Sequence, residues 1–154
     1  MRQKINIGGS ENYTETVSVF NLPEQTYDAT LNDSDKSFAV PGNEVWKLCN
    51  AHITLVSDAT VGNRQMVLEV ANSASAVVFS SAAGAVQAAS VTRVYDFMQG
   101  ITKETAFVGA VIQVPIPTEQ YILPGYSIRI YDSAAISAAG DDMTVAFQVE
   151  KFVI

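Results

Sequence analysis

Cys49 and His52 are the first place to look for chemistry, because a thiol nucleophile needs an imidazole base within hydrogen-bond reach. Each residue type occurs once in the 154-residue chain. Both fall in VWKLCNAHITLVS (45–57), where from Cys49 onward Cys49, Ala51, Ile53 and Leu55 alternate with Asn50, His52 and Thr54. In a strand, residues three apart point to opposite faces, so this spacing does not build a dyad. Cys49 reads as a core residue and His52 as a surface or interface residue. A lone histidine also excludes metal centres that need several imidazoles.

Serine is abundant, but no G-x-S-x-G elbow is present, and neither G-x-G-x-x-G nor a phosphate-binding G-x-x-x-x-G-K occurs. Paired carboxylates of the glycosidase kind remain conceivable among sixteen acids, but no spacing points to such a pair. Asp132, Asp141 and Asp142 offer oxygens for a loop-bound calcium ion, which wants six to eight of them. The simpler reading of the same residues is a solvated turn that caps a strand starting at Met143. Tyr121, Tyr126 and Tyr131 cluster around one Pro-Gly turn and read as core plus rim. We assign no catalytic, cofactor-binding or metal-ligating residue, expect no cofactor, and expect the chain not to be an enzyme.

The elements that carry these residues are strands. Period-2 alternation marks RQMVLEVA (64–71), with Met66, Leu68 and Val70 on one face. The same pattern marks YSIRIYD (126–132), with Tyr126, Ile128 and Ile130 inward, and MTVAFQVE (143–150), with Met143, Val145, Phe147 and Val149 inward. The long segment 45–57 breaks rhythm at Val45, Trp46 and Leu48, which predicts a β-bulge there. Further strands are expected at 14–20, 75–81, 91–97 and 105–114, separated by Gly, Pro and Asn turns. About eight strands of this length predict an all-β fold: an antiparallel two-sheet β-sandwich, jelly-roll-like in its unequal loops. Residues 1–40 are expected to be an N-terminal arm or added strands, and residues 41–154 the jelly-roll-like β-sandwich domain.

Charged residues make up 16% of the chain, below a typical ~25%, and the net charge is -7. Nine scattered basic residues do not form the basic cluster that nucleic-acid binding takes, so we expect no nucleic-acid partner. No stretch approaches the ~18 apolar residues of a membrane helix, and MRQKINIGGSENYTETV lacks the apolar core of a secretory signal. We expect synthesis in a cytoplasm and no membrane partner. Six acids and no base fall between Glu11 and Asp35, which reads as a solvated face or as an arm for a basic partner surface.

The uncharged stretches are the more specific signal. Residues 70–92 hold no charge, and thirteen of these 23 residues are Ala or Ser. Residues 105–118 and 133–140 are uncharged as well. Small neutral side chains lose little entropy when immobilised, and interfaces deplete charge at their centres. Two readings stand: these loops are covered by neighbouring molecules, or they lie on the chain's own core.

SDATVGNRQMVLEV (57–70), then an Ala/Ser-rich stretch, then LPGYSIRIYDSAAISAAGDDMTVAFQVE (123–150), resembles small virion proteins of tailed bacteriophages over roughly residues 44–150. The resemblance implies a structural virion protein, a head decoration (cement) protein that binds and stabilises the assembled capsid. It implies the major capsid protein as partner, a homo-oligomer with a trimer favoured, and a place on the virion's capsid surface. It carries over no catalytic residue. The alternative is a carbohydrate-binding or tail-associated β-sandwich module, which would need exposed coplanar aromatics built from Trp46 and one or two tyrosines.

Overall fold

The computed structural model describes residues 23–154. Ten strands follow one another without a helix among the described residues: β1 (Glu24–Asp28), β2 (Asp35–Ala39), β3 (Glu44–Val56), β4 (Met66–Ala71), β5 (Val77–Ala82), β6 (Thr92–Gln99), β7 (Val111–Ile116), β8 (Tyr121–Ile122), β9 (Ser127–Asp132) and β10 (Asp142–Val153). They form two sheets. One has the order β1-β10-β3-β6-β7, with β8 also on β3, and the other has the order β2-β9-β4-β5. The expected strand at 14–20, with Glu11 and Glu15, lies outside the described residues.

The alternating apolar residues meet between the sheets. Leu48, Ile53, Phe97, Val145 and Phe147 of the first sheet face Met66, Leu68, Val70, Ile128 and Ile130 of the second, all buried. Phe38 closes on Phe147 edge-to-face, with ring centroids 4.7 Å apart. The stretch expected to be an arm or added strands supplies one edge of each sheet, since β1 pairs β10 and β2 pairs β9. Three of its described acids are paired inside the chain: Glu24 with Lys151 (2.9 Å), Asp28 with Lys36 (3.1 Å) and Asp35 with Arg129.

Three expectations need correction. All ladders are antiparallel except β6–β7, which is parallel. Gly109, at φ 65°, turns the chain between bridged Val108 and Val111, so the strand expected at 105–114 starts only at Val111 and returns beside β6. The strand count among the described residues is ten rather than about eight, because 24–39 contributes two strands and Tyr121–Ile122 one. The bulge in β3 sits at Cys49 and not within 45–48. Gln148 pairs Asn50 and Val149 pairs Leu48, which leaves Cys49 as the extra residue. The buried series therefore runs Trp46, Leu48, then Ala51, Ile53 and Leu55, and Cys49 is half-buried rather than in the core.

Candidate interaction surface at one end of the sandwich

Strand pairing places five loops at one end. β3, β6 and β7 begin or end there at Val56, Thr92 and Val111, while β10, β4 and β9 meet there at Asp142, Met66 and Asp132. The loops are residues 29–34, 57–65, 83–91, 105–110 and 133–141. The described N-terminal residue and the C-terminus lie at the opposite end, beside Val149 and Glu44.

Arg64 organises this loop end from the inside. Its side chain is fully buried, and all five of its N–H donors find acceptors. Nε donates to Asp141 Oδ2 (2.9 Å), and Nη2 donates to Asp141 Oδ1 (3.0 Å) and Asp58 Oδ1 (2.7 Å). Nη1 donates to the carbonyls of Thr60 (2.8 Å) and Gly62 (3.0 Å). The Asp141 bonds hold the guanidinium above its ordinary pKa, against the opposing effect of burial. Asp141, also fully buried, accepts a further bond from the Asp58 N–H (2.9 Å). Asp58 in turn accepts from the Ser137 hydroxyl, the largest cause of a carboxyl held below its usual range.

Asp132 fixes the neutral loop at 133–140. Its Oδ1 accepts from the N–H of Gln65 (2.7 Å) and Ala134 (3.0 Å), and its Oδ2 accepts from that of Ile136 (3.0 Å). These bonds hold Ala135 (φ 51°) and Ser137 (φ 49°) in the left-handed region, which costs such residues about 1–3 kcal/mol and persists only where the surroundings enforce it. Asp132 and Asp141 are thus buried, which overturns the solvated-turn reading; only Asp142, the half-buried first residue of β10, keeps water contact. They do not converge with Asp142 as a cation cage: among the described residues no cluster of three or more His, Cys, Asp or Glu could hold a metal ion.

Gln87 does the same for 83–91. Buried, it donates from Nε2 to the carbonyls of Leu55 (3.1 Å) and Val91 (2.8 Å) and accepts at Oε1 from the Tyr95 hydroxyl (2.9 Å). Gly84 lets the backbone of 104–105 pass against this loop, since a Cβ there would stand 1.9 Å from the Glu104 carbonyl oxygen.

The outer surface of these loops is the reverse of their interior. Residues 59–63, 83–91, 105–110 and 133–140 carry no Asp, Glu, Lys or Arg. In the same loops Val61 (92% exposed), Val108 (73%), Leu31 (60%) and Val86 (48%) stand in water. Of the charged residues in the five loops, Asp58, Arg64 and Asp141 are tied into the internal network, and Asp33 bonds the Asp35 N–H (3.1 Å). The reading that these loops lie on the chain's own core therefore holds for 83–91 and 133–141, which are anchored on it, while their outward side chains are neutral.

The chemistry-bearing residues do not gather elsewhere. His52 Nδ1 lies 2.6 Å from Asp96 Oδ1 on the outer face of the larger sheet, beside a depression of about 240 Å³ lined by Gln25, Asn50, His52, Ala146, Phe147 and Gln148. Cys49 Sγ contacts the Lys47 carbonyl at 3.7 Å, and burial pushes its thiol up, away from the reactive thiolate. Trp46 is buried, with Nε1 donating to Glu44 (2.6 Å) and Lys151 over its ring, so it presents no face to a sugar. Arg129 covers the Tyr131 ring at 4.2 Å, and Tyr121 leans on Phe152. Arg64 was visible in the sequence only as the first residue of RQMVLEVA, and its carboxylate partners Asp58 and Asp141 lie six and 77 positions away. No family model matches the chain, and no curated protein matches it.

Proposed function

We propose that this chain is a structural protein of a tailed-phage virion, a head decoration protein that docks on the assembled shell through its loop end. The observation that carries the reading is the sparsely charged outer surface of that end, where only Asp33 and a part of Asp58 reach water beside the exposed valines and leucine, on a chain of net charge -7. The strand order supports a jelly-roll reading of the sandwich. With β7 and β8 set aside, the remaining eight strands pair first with last: β1–β10, β2–β9, β3–β6 and β4–β5. β3–β10 and β4–β9 then join these pairs into two four-stranded sheets, the topology of a long hairpin rolled up. Stabilisation of the shell follows from mass action: many copies bind the lattice and not its separated subunits.

The test is co-sedimentation of the purified chain with assembled shells of a tailed-phage major capsid protein. The expected result is saturable pelleting and a raised shell melting temperature. The double variant Val61→Glu/Val108→Glu, altered only at exposed positions, should stay folded and bind at least about tenfold more weakly, or ~1.4 kcal/mol. No pelleting of the native chain, or pelleting unchanged in the double variant, would refute the reading.

A further inference from the structure

We infer that the free edge of β5 pairs antiparallel with the same strand of a second copy, about a two-fold axis at Ser80. A sheet edge is a row of unpaired N–H and C=O groups, and proteins blunt such edges with charge, proline or a covering segment. Three of the four outer edges are blunted, and β8, which pairs with β3 alone, is only two residues long. β1 ends in Glu24 and Asp28, and β2 begins with Asp35 and Lys36. β7 carries Pro115, and its flank is taken by Glu104, whose N–H donates to the Gln113 carbonyl (3.3 Å) and whose Oε2 accepts from the Gln113 N–H (2.7 Å).

β5, the sequence VVFSSA, carries no charge or proline, and no covering segment lies on its edge among the described residues. Among the described residues it pairs with β4 alone. Val77 (55% exposed) and Val78 (52%) stand in water beside the neutral loop 72–76.

The occupant is a second copy for two reasons. Chains of net charge -7 repel, so self-association needs an uncharged contact, and β5 is the only one of the four edge strands without Asp, Glu, Lys or Arg apart from the covered β7. β1 pairing with itself about its central residue would set Glu24 opposite Asp28, acid against acid. The second reason is size. Centred on Ser80, the pairing sets Phe79 opposite Ser81 and Val78 opposite Ala82, large side chains against small ones. The four-stranded sheet then continues through the interface into its symmetry mate, an isologous contact. This contact is at the side of the sandwich and leaves the loop end free, so it stands whether or not the chain binds a shell.

Sedimentation equilibrium of the full chain tests it. The expected species is a dimer that dissociates at least about tenfold more readily in Ser80→Lys, whereas Ser37→Lys on β2 leaves it unchanged. Ser80→Cys should cross-link to a covalent dimer under mild oxidation, because each Ser80 faces its own copy; the native chain, with only Cys49, should not. Circular dichroism and thermal melting check that each variant is folded. A monomer at all concentrations, a trimer indifferent to Ser80→Lys, or a Ser80→Cys chain that stays uncrosslinked would overturn the inference. Shell binding that fails while the dimer forms would count against the proposed function alone.

Discussion

Replacing Asp141 with Ala should be among the most damaging single changes at the loop end. The carboxylate is fully buried and accepts three hydrogen bonds, two from Arg64 (2.9 and 3.0 Å) and one from the Asp58 N–H (2.9 Å). Without it, Nε of a buried guanidinium and one backbone N–H lose their acceptors, while Nη2 keeps only Asp58. An unsatisfied buried donor costs about 1–3 kcal/mol, and breaking one side of a buried ion pair about 3–5 kcal/mol. We take ~4 kcal/mol, which for a chain of this size lowers the melting temperature by roughly 8–16 °C. With a urea slope of about 2 kcal/mol per molar, the unfolding midpoint falls by ~2 M. Trp46, buried in the core, reports the transition by fluorescence. Arg64→Met should be comparably severe, because it strands the Asp141 carboxylate. The double variant Arg64→Met/Asp141→Leu should cost less than either single change, since no charge is left uncompensated. A loss below ~1 kcal/mol for Asp141→Ala, or a double variant whose loss equals the sum of the two singles, would refute the view that these charges act as one buried unit.

Gly84→Ala should destabilise by about 2–3 kcal/mol, because its Cβ would fall 1.9 Å from the Glu104 carbonyl oxygen and backbone must shift to admit it. Gly42→Ala is the matched control, with nothing within 4 Å of the new methyl; equal melting temperatures for the two variants would contradict the packing described here. Stability should hold on a plateau above about pH 5 and fall below about pH 4. Asp58 is held below its ordinary pKa chiefly by the Ser137 hydroxyl, and Asp28 chiefly by the Thr30 N–H. Depressed carboxyls stabilise the fold above their unfolded pKa and lose that contribution as pH falls through the folded values. Melting temperatures measured from pH 7 to 3 should show this shape, with a shallower acid limb in Asp58→Asn; a decline already complete at pH 5 would assign the acid sensitivity to other groups.

The strands were legible because alternation is a local property. Met143, Val145, Phe147 and Val149 announce one buried face, and the structure buries each of them. The bulge was legible as a broken rhythm but not in its position, since Cys49 continues the apolar series in sequence and only the pairing with β10 shows which residue is extra. The parallel return of β7 had no local signal either: TAFVGAVIQV reads as one strand unless Gly109 is recognised as the turn. The buried network was hidden for a different reason. Asp132 and Asp141 lie beside Ala, Ser and Gly, where an acid normally marks a wet turn. The burial of Asp141 depends on an arginine 77 positions away and that of Asp132 in part on the Gln65 N–H 67 positions away, and pairings at that distance have no period to find.

The neutral exterior of the loop end and the charges inside it have a common physical origin. Loops without Lys, Glu or Asp on their outer faces still have backbone N–H and C=O groups to satisfy, and here Asp132, Asp141, Arg64 and Gln87 satisfy them from beneath. Such a network is a weak source of stability, because the cost of desolvating its ions offsets most of their attraction. Its effect is on shape. It holds Ala135 and Ser137 in conformations that free chain rarely adopts, and it ties 57–65 to 83–91 and 133–141. A partner docking on this surface would then meet loops already ordered, whose Ala and Ser side chains have almost no rotamer freedom left to lose, where long side chains lose about 0.5–1.5 kcal/mol each on being immobilised. Affinity built this way comes from the fit of many small contacts and not from a single anchor.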